Sequence, residues 1–291
     1  MRLKAMAKIN LGLDILGKRE DGYHEIRTVM QTIQMYDILE LYHSHAPGIR
    51  LTTNLPYVPT DARNLVYQAA ALLMEEFHVT DGLELHLEKS IPVAAGMAGG
   101  SSDAAAALAG VNKMFRLGLS KQQLMERAVQ IGADVPFCVM RGTALAEGIG
   151  EKLTRLTGLS RCYVLIGKPG VSVSTRQAYQ SLNLEELVHP DMDGIVEAIR
   201  RGDISGMASM LGNVFEPGIR TLHPVIGEIE SLMEKNGAMK ALMSGSGPTV
   251  FGLFDDSYKL RQAAGALRNS HLAKTVFATE IFTDRGDTND Q

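Results

Sequence analysis

The sequence predicts an α+β chain in two domains, and three observations carry that expectation. Residues 2–15 alternate in a strand period: Leu3, Ala5, Ala7, Ile9, Leu11, Leu13 and Ile15 share one face, and Arg2, Lys4, Met6, Lys8, Asn10, Gly12 and Asp14 the other. Residues 82–115 read as a strand, a glycine loop and an alanine-rich helix. From residue 162 onward, with intervening helices grouped, the order is β-α-β-β-α-β, a split ferredoxin-like pattern.

The elements follow in order. After the first strand comes GKREDGYHEI, a polar turn, and then Thr28 to Tyr42, one or two β-rich strands broken near Asp37. Leu65 to Phe77 is apolar at helical spacing. Leu83, Leu85 and Leu87 alternate with Glu84, His86 and Glu88 in a half-buried strand. SIPVAAGMAGGSS leads into a helix from Asp103 to Phe115, with Ser101 or Ser102 as its cap and Asp103 suited to its positive end. Ser120 and Gln123 form a capping box for a helix reaching Ile131, with Gly132 after it. GADVPFCVMRGTALAEGIGEKL reads as short strands and turns.

In the second half, the strand CYVLIGK precedes helices at Ile195 to Arg201, Ile204 to Leu211 and Val225 to Lys235. Lys240 to Met243 and Thr249 to Phe254 form a hairpin around SGSGP, and a helix from Tyr258 to Arg268 and a strand from Thr275 to Phe282 close the order. The polar turn TGLSR suggests domains of residues 1–157 and 158–283, with 284–291 a polar tail expected to fray. The RGD triplet in that tail reads as chance.

Composition narrows the function. A length of 291 residues with 45% hydrophobic content suits a globular chain of two domains. The net charge of −4 argues against broad binding to nucleic acid or membrane surfaces. Cys138 and Cys162 lack a C-x-x-C arrangement and read as reduced packing residues, and the histidines show no zinc spacing. With no apolar leader or run of 18 apolar residues, the expected location is cytoplasmic.

The glycine loop is where chemistry enters. A helix start carries free N–H groups and about half a positive charge, so it favours an anion, and glycines let the backbone come close. The loop is not a Walker A motif, because it has no lysine, and it does not match G-x-G-x-x-G. Taken alone, such a loop is also an ordinary structural turn.

Several segments together resolve that ambiguity. PVAAGMAGGSSDAAA resembles the second motif of the GHMP kinases, the superfamily of galactokinase, homoserine kinase and mevalonate kinase. AKINLGLDILGKREDGYHEI, GADVPF, KPGVSVST and SGSGPTVF are similar to further motifs of the superfamily, in order along nearly the whole chain. The resemblance implies a two-domain fold, with an N-terminal domain like ribosomal protein S5 domain 2 and a ferredoxin-like C-terminal domain. It implies a small-molecule kinase of isoprenoid precursor synthesis that moves the γ-phosphoryl group of ATP, with Mg²⁺, to a hydroxyl of a cytidyl substrate. The chain would act as a monomer or homodimer.

Roles follow from the same resemblance. Asp134 would be the general base and Lys8 the cation that polarises the attacking hydroxyl. The loop Pro92, Val93, Ala94, Ala95, Gly96, Met97, Ala98, Gly99, Gly100, Ser101 and Ser102 would cradle the triphosphate. Asn10 would bond the substrate, Tyr23 and Tyr179 would cover the two faces of the cytosine, and His24 would bond its edge. Gly245, Ser246 and Gly247 would pack on the phosphate loop. No Mg²⁺ ligand is assigned. Each residue also has a plain structural reading: Lys8 a solvated lysine, Asp134 a turn residue, Asn10 a strand-end residue, Tyr179 a half-buried helix residue. Ala94 and Ala98 stand where many members have glycine, and Met97 where leucine is common. Any positive φ in the loop is therefore expected at Gly96, Gly99 or Gly100. The alternatives are a GHMP kinase for another small alcohol and a nucleotide-sensing protein without catalysis.

Overall fold

The computed structural model describes residues 1–20, 22–157, 159–180, 182 and 187–283. The expected tail at 284–291 lies outside them, as does Asp21 of the DGYH segment. The chain forms two compact units, one made of Met1–Ala7, Met35–Val93 and Ala98–Met140, the other of Lys8–Gln34, Ala94–Met97 and Arg141–Gln291. Strands β1 (Arg2–Lys18) and β2 (His24–Ser44) each contribute residues to both.

In the first unit, the second half of β2 runs antiparallel to β4 (Gly82–Glu88), from Ile38↔Glu88 to Ser44↔Gly82. β3 (Ile49–Thr53) pairs parallel to β4. Helix α1 (Leu65–Glu76) starts at Asn64, whose side chain accepts from the Val66 amide at 2.9 Å, the usual work of an N-cap asparagine. α1 packs against α2 (Gly99–Met114), and α2 against α3 (Lys121–Ala128) and α4 (Val135–Met140). The capping box at Ser120 and Gln123 is present in both directions. Leucines 39, 41, 83, 85 and 87 fill the core on the sheet side. At Gly110 the helix comes so near the sheet that a Cβ would lie 2.6 Å from Leu41 Cδ2 and 3.0 Å from Leu3 Cδ1.

In the second unit, β5 (Thr143–Gly148) pairs antiparallel with the first half of β2 and with β6 (Lys152–Leu156). β7 (Tyr163–Lys168) is followed by α5 (Thr175–Gln180), α6 (Met192–Arg201), α7 (Ile204–Met210), β8 (Gly212–Asn213), α8 (Glu216–Leu222) and α9 (Val225–Lys235). Then come β9 (Lys240–Met243), β10 (Val250–Phe254), α10 (Ser257–Ser270) and β11 (Thr275–Glu280). The four long C-terminal strands form a sheet in the order β11-β7-β10-β9, every pair antiparallel, with α9 and α10 packed on it. This is the strand order of a split β-α-β-β-α-β unit. Leu165, Ile229, Met233, Phe254, Ala263 and Leu267 form the centre of its core. β8 pairs parallel to β1 at Gly12↔Gly212 and Leu13↔Asn213.

Four expectations need correction. β2 runs unbroken through Asp37, because that carboxylate is fully buried and satisfied by neighbours, so it does not interrupt the strand. α2 begins at Gly99, four residues before Asp103, and neither Ser101 nor Ser102 caps it; its N-cap is Ala98, and Ser102 Oγ donates instead to Met6 O at 2.6 Å. α3 ends at Ala128, short of Ile131. VPFCVM is not strand but the one-and-a-half-turn helix α4, with the Cys138 amide donating to Asp134 O at 3.1 Å. Among the described residues, no helix is long and apolar enough to cross a membrane.

Gly110→Val is expected to lower stability by about 1–3 kcal/mol through overpacking, read as a lower urea midpoint. An unchanged midpoint would mean that α2 can shift away from Leu41.

Candidate active site

The second half of β1 places polar side chains where a solvated face was the plain reading. Lys8 is only 5% exposed and Asn10 1%. A buried ammonium and amide need partners, and they have them. Lys8 Nζ donates to Asn10 Oδ1 at 2.7 Å and, more weakly, to Gly96 O at 3.4 Å. Asn10 Nδ2 donates to Thr28 Oγ1 at 2.8 Å, and Thr28 Oγ1 donates to Gly12 O at 2.6 Å. This relay fixes the Asn10 amide with its oxygen toward the lysine. The Lys8 amide also donates to Met97 O at 3.1 Å, tying the loop to the strand.

The loop is bent by alternating backbone hand. Positive φ falls at Ala94 (50°), Gly96 (72°) and Ala98 (53°), with Ala95 and Met97 between them at negative φ. Such alternation bends the chain sharply over a few residues ahead of α2. Gly96 was expected to take positive φ, but Ala94 and Ala98 take it too, whereas Gly99 and Gly100 do not; they lie in the first turn of α2. Glycine at 99 answers to space: a Cβ there would lie 3.1 Å from Ile91 Cγ2 and 3.2 Å from Lys89 Nζ. The two alanines bear an αL cost of about 1–2 kcal/mol each.

Gly96 is also held by the hairpin turn. A Cβ on it would lie 2.1 Å from Ser244 O, and Ser244 Oγ donates to Gly96 O at 3.0 Å. The turn in SGSGP therefore packs on the loop as expected, through Ser244 and Gly245. Asn213 holds the turn in place, its Nδ2 donating to Met243 O at 2.7 Å and Gly245 O at 2.8 Å.

At the start of α2, the amides of Gly99, Gly100 and Ser101 precede the first intrahelical bond and face outward along the axis. Ser102 does not join them, because its amide donates to Ala98 O at 2.8 Å and its hydroxyl to Met6 O. Behind this turn lies a buried cluster. Lys89 donates to Asp37 Oδ2 and, at 2.6 Å, to Asp103 Oδ2. Asp37 Oδ1 accepts from the amides of Ser90 at 2.5 Å and Ile91 at 2.7 Å, just before the loop. Burial works against the Lys89 ammonium, but the two carboxylates outweigh it and raise its pKa.

Asp134 is half-buried in the first unit, immediately before α4. Lys8 belongs to the second unit, so each is positioned by its own surroundings. The aromatic residues form a group. His24 stacks on Tyr179 with centroids 4.5 Å apart and planes 28° apart, and Tyr179 meets Phe215 edge-on at 4.9 Å. A base does not fit between His24 and Tyr179, which already touch. Tyr23 is 62% exposed. Among the described residues, no group of three or more His, Cys, Asp or Glu side chains could hold a metal ion.

Thr28, Ser244, Asn213 and the Asp37–Lys89–Asp103 cluster were missed in the sequence. Single polar residues in apolar strands carry no spacing signal, and the cluster joins positions 66 residues apart in the chain at its extremes. The one available hint was an aspartate inside a strand pattern, which reads as a break unless a cation is known to meet it.

Comparison with known proteins bears on the whole chain. The family model for the GHMP kinases N terminal domain matches residues 64–142, and that for GHMP kinases C terminal matches 195–274. A 4-diphosphocytidyl-2-C-methyl-D-erythritol kinase of Lachnospira eligens is 51% identical over 284 residues, covering 97% of this chain and 99% of that one. Its counterpart in Lachnoclostridium phytofermentans is 49% identical, covering 97% and 98%. A crystal structure of 4-(cytidine 5'-diphospho)-2C-methyl-D-erythritol kinase superposes with a TM-score of 0.82 at 34% identity, covering 97% of this chain and 99% of that one. Homoserine kinase from Cytophaga hutchinsonii shares the fold, with a TM-score of 0.74 at 19% identity over 94% of this chain and 93% of its own.

Ala98→Gly removes an αL cost of about 1–2 kcal/mol and adds unfolded-chain entropy worth about 0.4–1 kcal/mol. Stability is therefore expected to stay level or rise by up to about 1.6 kcal/mol in chemical denaturation. A loss of that size would show that the alanine methyl is needed for packing.

Proposed function

This chain belongs to the GHMP kinases, and from that premise we propose how its residues carry out the reaction. It is a small-molecule kinase: it transfers the γ-phosphoryl group of ATP to the 2-hydroxyl of 4-diphosphocytidyl-2-C-methyl-D-erythritol, in the non-mevalonate route to isoprenoid precursors. The observation that best supports the residue roles is the buried Lys8 ammonium, directed at the carbonyl of Gly96 inside the glycine loop.

Phosphoryl transfer asks the protein mainly for positioning and charge stabilisation. Residues Pro92 to Ser102 hold the triphosphate. The amides of Gly99, Gly100 and Ser101 donate to it with the positive end of α2 behind them, while Ser102 anchors the turn to Met6. Asp134 receives the proton of the attacking hydroxyl. A carboxylate is a weak base, but it suffices where the proton leaves late in a loose transition state. Lys8, oriented by Asn10 and Thr28, supplies positive charge to the hydroxyl and the phosphoryl oxygens. Mg²⁺ arrives on the phosphates as part of the nucleotide substrate. Tyr23 and Tyr179 cover the two faces of the cytosine by stacking, and His24, held against Tyr179, bonds its edge. Residues 1–157 carry nucleotide binding and catalysis in this reading, and 158–283 shape the substrate side.

ADP release measured with and without the cytidyl acceptor tests the activity. Acceptor-dependent release is expected, and release with homoserine or a sugar instead would reassign the substrate. Asp134→Asn should lower kcat by about 10²–10⁴-fold, the usual contribution of a positioned base, with ATP binding retained. Near-normal turnover would remove Asp134 from the mechanism. Tyr23→Ala should raise KM for the cytidyl substrate far more than KM for ATP; equal rises would argue against stacking.

A further inference from the structure

The proposed chemistry leaves the cluster beneath the loop unused. The side chains of Asp37, Lys89 and Asp103 are 0%, 4% and 3% exposed. One ammonium faces two carboxylates, so the cluster carries a net negative charge unless one carboxylate takes a proton. The two acids are not equivalent. Asp37 uses both oxygens, accepting two amides on Oδ1 and Lys89 on Oδ2. Asp103 accepts Lys89 on Oδ2, whereas its Oδ1 is buried with no hydrogen-bond partner among the described residues. With fewer bonds to stabilise it as an anion, Asp103 is the acid that takes the proton. Burial, reinforced by the charge of Asp37 and opposed by Lys89, pushes the Asp103 carboxyl up to about 8.

The location gives this charge a consequence. Asp103 is four residues into α2, about 6 Å along the axis from Gly99 at 1.5 Å per residue. Lys89 Nζ lies against the Gly99 backbone, where a Cβ would come within 3.2 Å of it. The charged groups facing Asp103 are Lys89, from the segment after β4, and Asp37, from β2. The buried faces of α1 and α3 are apolar, and α4 adds only Cys138, near Ser102 Oγ at 3.4 Å.

We propose that Asp103 is a positioning residue for ATP, whose protonated form leaves the cluster neutral and whose ionised form sets a negative charge behind the helix turn that receives the phosphates. This rests on the reading that ATP docks at the start of α2. Because an anionic ligand favours the protonated form, ATP affinity is full below the Asp103 pKa and falls as pH rises through it.

The test is Kd for MgATP by calorimetry on the full chain from pH 7 to 9.5, without acceptor. The wild-type Kd should rise about threefold or more, as expected for one unit charge at this range in a partly screened setting. Asp103→Asn, neutral at every pH, should keep the pH 7 affinity throughout. Asp37→Asn removes the repulsion on Asp103 and should move the step to lower pH; it serves also if Asp103→Asn fails to fold. A wild-type profile retained in Asp103→Asn, or in Asp37→Asn where that variant stands in, would overturn the proposal, as would a flat wild-type profile. Gly100→Asp separates the two readings. Gly100 is exposed, with room for a Cβ 3.6 Å from Leu65, and an acid in a first helical turn is tolerated, so the variant should fold and lose ATP at all pH values. If it binds ATP normally, docking at α2 is wrong. If it loses ATP while Asp103→Asn keeps the wild-type profile, only the role of Asp103 is wrong.

Discussion

The carbonyl oxygen of Gly96 is the fixed point of the site. It accepts from Ser244 Oγ at 3.0 Å and from Lys8 Nζ at 3.4 Å, on a residue whose α-carbon leaves no room for a side chain against Ser244 O. The bend of the loop, the direction of the lysine and the position of the hairpin turn are therefore one arrangement. Its supports are polar and buried: Asn10 and Thr28 orient Lys8 from the strand side, and Asn213 holds the turn. Buried polar groups of this kind are costly unless fully paired, and when paired they specify one geometry. The bend of the loop is thus held by bonds within the protein itself.

Much of this was legible in the sequence where one local rule decided the outcome. The alternation of residues 2–15 put Lys8 and Asn10 on the same face, and their side chains do touch. The split pattern of the second half gave the order of its sheet. The reading failed where a distant partner overrode the local rule. Asp37 looked like a strand break because its cation lies 52 residues away. Lys8 looked solvated because nothing nearby in the chain announces the loop that covers it. Ala94 and Ala98 were not expected at positive φ, since the groups that anchor the loop, Lys8 on β1 and Ser244 at the hairpin, bond to Gly96 and Met97 from far away in the sequence. Glycine itself is ambiguous in a sequence, with Gly96 needed for hand and closeness and Gly99 for space alone.

Fold and specificity separate cleanly in this chain. The whole architecture is shared with homoserine kinase at 19% identity, so the fold cannot choose the acceptor. The choice has to come from side chains, and the candidate set is aromatic. His24 and Tyr179 support each other, and Phe215 braces Tyr179 from its edge. A group of rings packed on one another is already ordered, which suits the stacking proposed for the acceptor's base.

The chain passes between its two compact units at residues 7/8, 34/35, 93/94, 97/98 and 140/141. Neither unit is a continuous stretch of gene. Recombination could not have exchanged one for a relative's as a cassette, and a ribosome cannot finish either before residue 140 has been made. Such a sequence has to diverge residue by residue within one shared fold, as its likeness to homoserine kinase at 19% identity illustrates.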